Sequence, residues 1–216
     1  MRGGGGGARV TGAPGKAENM SRAGFVSSLS ETVPARALNI AEPPNLTDPD
    51  STIQKVKDDD PTLIDLNWNN IKNISEEKFE HLFNALPENT HLETLSLSNV
   101  GMTDNSAIKL AEALERNATL RVVNVETNFI NPPVIVKFIK SLLATKTIEE
   151  FRCSNQRLQV LGNKIEMDVT GLVDQNPTLL RLGLHLDYND ARHRVAGHLQ
   201  RNIDRIRLSR VGATNS

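Results

Sequence analysis

Apolar residues between positions 119 and 143 follow two successive periods. Val123 and Val125 lie two positions apart, which predicts a short strand with one buried face, since both side chains are β-branched. Asn128 follows where the chain must turn, and Pro132 and Pro133 suit the first turn of a helix, which needs no intrahelical N–H donors. The next apolar positions, spaced i, i+3, i+4 and i+7, define one face of that helix: Ile135, Phe138, Ile139 and Leu142.

The same unit of strand, turn and helix recurs along the chain at nearly regular intervals. Successive units begin at Leu63, Leu92, Leu120, Ile148 and Leu179. Each start is followed by a pair of apolar side chains two positions apart, as in a leucine-rich repeat with a period of about 28 residues. Such units stack because none can cover its own apolar face. The sequence therefore predicts an α/β fold, a leucine-rich repeat solenoid of about five strand–helix repeats with parallel strands.

The repeat also assigns side chains to the core. Trp68 holds the strand position of Leu97 and Val125, which predicts that it faces inward. The alternative is an exposed aromatic anchor, since tryptophan is common at binding hot spots. The other predicted core residues are these: Leu95, Leu97, Leu110, Leu114, Val123, Val125, Ile135, Phe138 and Ile139.

Helical caps are predicted at both ends, because the terminal repeats of a solenoid must cover its open edges. At the first end, Asp50 or Ser51 suits the N-cap of a short helix that carries Ile53 and Val56. The last helix is less apolar than the others and is rich in arginine, with Asp204 as a single acid after Ala191. Its arginines are Arg192, Arg194, Arg201, Arg205, Arg207 and Arg210.

The composition divides the chain into one domain with two tails. Residues 1–45 include the glycine run Gly3–Gly7 and are rich in Gly, Ser and Pro, which predicts a disordered tail. Residues 46–211 are predicted to form the repeat domain with its N-terminal capping helix and C-terminal basic helix. Residues 212–216 are predicted to be a flexible tail.

The chemistry of the sequence does not indicate an enzyme. A formal net charge of −1 gives no overall attraction to nucleic acid or membranes, and no apolar run approaches the roughly 20 residues of a membrane span. Cys153 is the only cysteine and is predicted to be a buried structural thiol. His193 and His198 are five positions apart, which does not suit a helical metal pair. We therefore expect a cytoplasmic protein without cofactor or metal.

Several runs of the sequence resemble the tropomodulin family. They are residues 42–45 (EPPN), residues 60–74 (DPTLIDLNWNNIKNI), residues 124–130 (NVETNFI) and residues 155–157 (NQR). Their order and spacing also agree with that family, and the similarity extends from about Pro43 to Val211. Leucine-rich repeat proteins in general do not share these runs.

The resemblance implies an actin-binding module that caps the pointed end of filaments and blocks subunit exchange by occlusion, in the cytoplasm and cytoskeleton. Tropomyosin is a partner of the family as a whole. Residues 1–45 lack the long amphipathic helical pattern of the family's N-terminal half. We therefore expect a fragment or short isoform, in which these residues give no support for tropomyosin binding. We expect a monomer. The alternative is a leucine-rich repeat adaptor or GTPase-regulating scaffold, because repeats of this length also occur in such proteins.

Candidate actin-binding residues lie on the turns between strands and helices. Such turns share one side of a solenoid and are natural binding surfaces. Lys72, Asn73 and Arg157 are the candidates there. Asn73 could instead serve its own turn, and for Asn128 a structural role in the repeat backbone is preferred.

The basic helix supplies the remaining candidates, which are Arg201, Arg205, Arg207 and Arg210. So one-sided a set of charges is expected to repel itself with little compensation within the domain. An acidic partner surface would supply the missing opposite charge.

Residues before about Asn45 are expected to be dispensable for folding, because their composition cannot bury enough apolar area to offset chain entropy. Limited proteolysis should leave a resistant core that begins between Pro43 and Ser51. A protected fragment beginning near Met20 would contradict this expectation.

Overall fold

The computed structural model describes residues 44–157 and 160–214, with side chains up to Arg210. The predicted N-terminal tail, residues 1–45, lies outside these residues except at its last two positions. The described residues form a five-stranded parallel sheet backed by helices. The strands are β1 (Asp65–Asn67), β2 (Thr94–Ser96), β3 (Val122–Asn124), β4 (Glu150–Arg152) and β5 (Arg181–Gly183). The helices are α1 (Pro49–Lys57), α2 (Glu76–Ala85), α3 (Asp104–Leu114), α4 (Pro132–Thr145), α5 (Asn163–Gln175) and α6 (Asn189–Thr214), with a 3₁₀ turn at Leu86–Glu88.

The strands pair in chain order, and equivalent repeat positions face one another. Leu66 pairs with Leu95, Leu95 with Val123, Val123 with Phe151, and Phe151 with Leu182. The register therefore follows the sequence repeat, although the interval between units is not constant. The predicted solenoid is confirmed.

The inward faces of the strands and helices form one apolar core. All nine predicted core residues are buried. Trp68 is also fully buried, which confirms the core assignment over the exposed anchor. Its ring lies 6.2 Å from that of Phe79, and its Nε1 donates a hydrogen bond to Thr52 Oγ1 at 2.9 Å. Trp68 thus joins the first cap to the first repeat.

Helix α1 closes the first repeat as predicted, with Ile53 and Val56 buried. Its N-cap is Asp48, however, and the prediction of Asp50 or Ser51 is wrong. The Asp48 carboxylate accepts hydrogen bonds from the backbone N–H groups of both those residues. Pro49 occupies the first helical position, where its fixed φ and missing donor are tolerated, so the helix begins earlier than the apolar pattern indicated.

Buried asparagines link three helix ends, those of α2 with its 3₁₀ turn, α3 and α5, to the next strand. Asn117 Oδ1 accepts hydrogen bonds from the backbone N–H groups of Thr119 and Leu120, at 3.0 and 2.8 Å. Its Nδ2 donates to the carbonyl oxygen of Leu86 in the preceding repeat, at 2.7 Å. Asn89 and Asn176 make equivalent bonds.

Asn202 ends this series of asparagines in α6. Its Nδ2 donates to the carbonyl oxygens of Asn176 and Leu179, both at 2.8 Å. The less apolar face predicted for the last helix therefore contains a buried, satisfied amide. Helix α6 continues to Thr214, into the range predicted as a flexible tail.

Replacing Asn117 by alanine should lower the free energy of unfolding by about 1–3 kcal/mol, because buried backbone groups of two repeats would lose their partners. Urea unfolding followed by circular dichroism measures the change. Asn105→Ala, at an exposed position of α3, is the matched control and should change stability by less than about 0.5 kcal/mol. Equal midpoints for the two variants would contradict the structural role.

Candidate binding surface

The turns that leave the strands share one edge of the sheet, because all five described strands are parallel. We call the following segments the turn edge: residues 69–75, 99–104, 127–131 and 155–160, without residues 158 and 159. A left-handed backbone conformation recurs there at Asn70, Asn99, Thr127 and Asn155, with φ between 56° and 64°. Asparagine tolerates this conformation better than most residues, so the repeated turn shape follows largely from the sequence.

Hydrogen bonds between neighbouring turns fix this edge further. Asn99 Nδ2 donates to Asn70 Oδ1 at 2.8 Å. Lys72 Nζ donates to the backbone oxygen and Oδ1 of Asn99, at 3.2 and 2.7 Å. Lys72 is exposed yet held in place. Asn73 is exposed and adopts a left-handed conformation with φ of 61°, so it also serves the shape of its turn.

An arginine and an aromatic ring meet on the surface between the third and fourth turns. The guanidinium carbon of Arg157 lies 5.8 Å from the ring centroid of Phe129, a cation–π geometry. The ring remains 49% exposed. Backbone hydrogen bonds from Phe129 N to Met102 O and from Arg157 N to Asn128 O hold the two residues at 2.9 and 3.1 Å. Together they form a rigid, amphipathic projection.

Phe129 is not among the residues predicted from the sequence, although its place in the repeat indicates an outward side chain. The residue stands between two inward repeat positions, Asn128 and Ile130, which are both buried. An aromatic side chain between two inward positions must point outward. Exposed apolar side chains also occur after β4, at Val160, and after β5, at Tyr188. The turns after three successive strands therefore each carry one.

Asn128 does not belong to this surface. It is buried, its Nδ2 donates to the carbonyl oxygens of Leu97 and Val125, and its Oδ1 accepts from Val100 N and Met102 N. The predicted structural role of Asn128 is confirmed.

Gln156 takes the equivalent place one repeat later. Its Nε2 donates to the carbonyl oxygens of Val125 and Cys153, at 2.9 and 3.1 Å, and its Oε1 accepts from Ile130 N. The amide thus supports the turn that presents Arg157.

Arg201 is compensated within the domain, contrary to the expectation for the basic helix. Its Nη1 lies 2.7 Å from Asp174 Oδ1, and its Nη2 donates to the Asp174 carbonyl oxygen at 2.8 Å. His198 Nδ1 lies 3.0 Å from the same carboxylate. The hydrogen bond from Arg201 and the nearby His198 hold the pKa of Asp174 below its ordinary value of 3.8. Sequence reasoning missed this partner because it lies one repeat earlier, at the end of α5.

The other arginines of the basic helix lie on its exposed part. Arg205 is exposed, and Arg207 is also exposed, with its Nη1 3.7 Å from Asp204. Arg207 and Arg210 border a groove beside Val122 and Leu180, close to the edge at which the strands begin. Lys72, Asn73 and Arg157 lie at the opposite, turn edge. The structure therefore divides the predicted site residues into two groups.

A buried carboxylate fixes the start of the basic helix. Glu166 of α5 is fully buried, and its two oxygens accept hydrogen bonds from Asp187 N and Tyr188 N, at 2.8 and 3.0 Å. With Asp174, this gives α5 two acidic contacts to the α6 region. Sequence reasoning did not select Glu166, because in a helix a single acid at an inward position gives no sign of its distant partners.

The described residues contain no group of three or more His, Cys, Asp and Glu side chains that could hold a metal ion. Cys153 is fully buried, which confirms its predicted location, and this burial raises the pKa of its thiol. In the same part of the chain, no helix is long and apolar enough to cross a membrane.

A sequence model of the TMOD/LMOD leucine-rich domain matches residues 45–205. The chain belongs to the tropomodulin/leiomodin family. It is 42% identical over 171 residues to tropomodulin of Caenorhabditis elegans, covering 79% of this chain and 44% of that protein. It is 39% identical over 163 residues to human leiomodin-3, covering 76% of this chain and 29% of the relative. The chain thus spans less than half the length of these two relatives.

Solved structures of the same family have the same fold. The tropomodulin C-terminal domain of C. elegans superimposes with a TM-score of 0.74 at 41% identity, covering 77% of this chain and 99% of that one. The structure of leiomodin-1 actin-binding site 2 also gives a TM-score of 0.74, at 32% identity, covering 80% of this chain and 98% of that one.

Asp174→Asn should lower the melting temperature at pH 7, because it removes the charge that holds Arg201 and His198. The pKa of Asp174 is lowered by folding, so its contribution is present above the ordinary value of 3.8 and is lost as the pH falls through the lower folded value. The difference between variant and parent should therefore shrink towards acid pH in thermal melts. Asp168→Asn, exposed on the same helix, is the control. Equal melting temperatures for the two variants at pH 7 would contradict the assigned role of Asp174.

Proposed function

We propose that this chain is an actin-binding domain that acts at the pointed end of filaments and blocks subunit exchange by occlusion. The observation that carries the proposal is the family match over residues 45–205, together with the similarity to a structure named as an actin-binding site. The pointed end is the part of the proposal that rests on the family resemblance alone. The domain would act by binding, without catalysis.

The turn edge is the first surface of the proposed contact. Its turns are bonded to one another through Lys72, Asn99 and Asn70, so little freedom remains to be lost on binding. Phe129 and Arg157 offer the apolar area and the charge that interface hot spots combine. A rigid array of this kind suits a wedge that fits a fixed surface at a filament end.

The exposed part of α6 is the second surface. Arg205, Arg207 and Arg210 would attract the largely acidic surface of actin and then form paired contacts. Surface pairs contribute only about 0–1 kcal/mol each, so several must act together, and salt should weaken them. Arg201 has a different role in this proposal: its bond to Asp174 positions the helix.

The setting of this activity follows from the same proposal. We propose that the domain acts as a monomer in the cytoplasm, on the actin cytoskeleton. Residues 1–45 show no long amphipathic helical pattern, so we propose no tropomyosin contact for this part of the chain. An adaptor or GTPase-regulating scaffold is the competing function, and an elongation assay separates the two.

Replacing Arg205, Arg207 and Arg210 together by glutamate should weaken inhibition of pointed-end elongation at least about tenfold, which corresponds to about 1.4 kcal/mol. The reason is the loss of several cooperating charge contacts. Pyrene-actin elongation from filaments blocked at the other end measures the effect. The inhibition by the parent chain should weaken with added salt, and that salt dependence should be smaller in the variant.

The matched control replaces three exposed basic residues on the helical side, Arg116, Lys140 and Lys164, by glutamate, which changes the net charge equally. Full inhibition by this control and an unchanged circular dichroism spectrum in both variants would assign the effect to α6. Full inhibition by the α6 variant would remove the helix from the mechanism. A parent chain without any effect on elongation would favour the scaffold function.

A further inference from the structure

A groove of about 390 Å³ lies beside the sheet at the edge where the strands begin. Its apolar lining comes from Val122 of β3, from Leu180 just before β5, and from Ile203 and Ile206 of α6. Each of these four side chains is only partly buried. The groove lies opposite the turn edge, so it is separate from Phe129 and Arg157.

The groove exists because α6 is longer than the stack can cover. Helix α6 has 26 residues, whereas the other described α-helices have between 9 and 14. Its apolar stripe begins with the buried Val195 and continues through Leu199, Ile203 and Ile206, which are only partly buried. The apolar face of α6 therefore extends past the part that the rest of the domain covers.

Arginines border this apolar surface. The Arg181 side chain is 76% exposed and uses Nη1 for a 2.9 Å bond to Glu150, so further guanidinium donors face solvent. Arg207 is 71% exposed and is 3.7 Å from Asp204, too far for a strong hydrogen bond. Glu149, on the same border, is already 3.2 Å from Arg121. The border of the groove thus favours carboxylates.

We propose that this groove binds a short acidic and aliphatic peptide segment of a partner protein. Its volume accommodates a few aliphatic side chains, which would cover Ile203 and Ile206 and remove their apolar surface from water. Carboxylates on either side of them would pair with Arg181 and Arg207, as guanidinium groups bind carboxylates through two parallel hydrogen bonds. The site shares Arg207 with the proposed actin contact, but its aliphatic lining and Arg181 play no part in that contact, so variants at those positions test the groove separately.

Fluorescence anisotropy with the full chain tests the proposal. The probe is a short fluorescein-labelled peptide that carries two leucines among aspartates and glutamates. Two control peptides replace either the acids by lysine or the leucines by serine. Binding of the probe, with at least about tenfold weaker binding of both controls, is the expected result. Equal binding of all three peptides, or binding of none, would overturn the proposal.

Matched variants locate the site on the protein. Ile206→Ser and Arg181→Glu should each weaken binding of the probe at least about fivefold. Leu208→Ser and Arg205→Glu change an exposed aliphatic and an exposed arginine of α6 that do not line the groove, and they should leave binding unchanged. Equal losses in all four variants would overturn the assignment, as would a loss explained by a changed thermal melt.

Two further measurements are needed, one for the occupant of the groove and one for its independence from the proposed actin contact. If light scattering shows self-association of the parent chain that Ile206→Ser abolishes, the occupant is a second copy of this chain and the peptide proposal is overturned. Ile206→Ser and Arg181→Glu should keep full activity in the pointed-end elongation assay. Loss of peptide binding with retained elongation inhibition therefore supports the groove independently of the proposed actin contact.

Discussion

Buried amide side chains that hydrogen-bond across repeats are the interaction on which this structure depends. Each strand is only three residues long, although backbone bonds such as Trp68 N to Ser96 O continue the ladder beyond the strand ends. Asn117 and its equivalents bind the end of one repeat to the start of the next, while Asn128 and Gln156 do the same beside the turns. A buried amide without partners is costly, so these bonds favour one register of the stack.

This rigid stack explains how the binding surface is positioned. Asn128 holds the turn before Phe129, and Gln156 holds the turn before Arg157, so the exposed pair rests directly on buried, satisfied amides. In the last repeat, Glu166 and Asp174 of α5 hold the start and middle of α6. In both places a buried or paired group fixes an exposed one, which lowers the entropy lost when a partner binds.

The division of basic residues between two edges gives the domain two surfaces of different character. The turn edge combines an aromatic ring with short polar turns, whereas the far part of α6 combines arginines with uncovered aliphatic side chains. Two such surfaces on one rigid body can contact two partners, or two parts of one partner, without a conformational change. Arg207 and Arg210 border the groove and also belong to the proposed actin contact, so the groove and that contact adjoin on α6.

The sequence by itself determined the repeat, the parallel strands, the inward residues such as Trp68 and the structural role of Asn128. These follow from periods of two and of about 28 residues, which local sterics and the burial of apolar side chains impose. Only the tertiary structure decided which charges are paired and which apolar side chains are covered. Arg201 contacts Asp174 and Arg157 contacts Phe129, each pair joining neighbouring repeats. Ile206 is only partly buried because α6 is longer than the helices packed beside it. Such pairings depend on side-chain directions and helix lengths in adjacent repeats, which the repeat period does not encode.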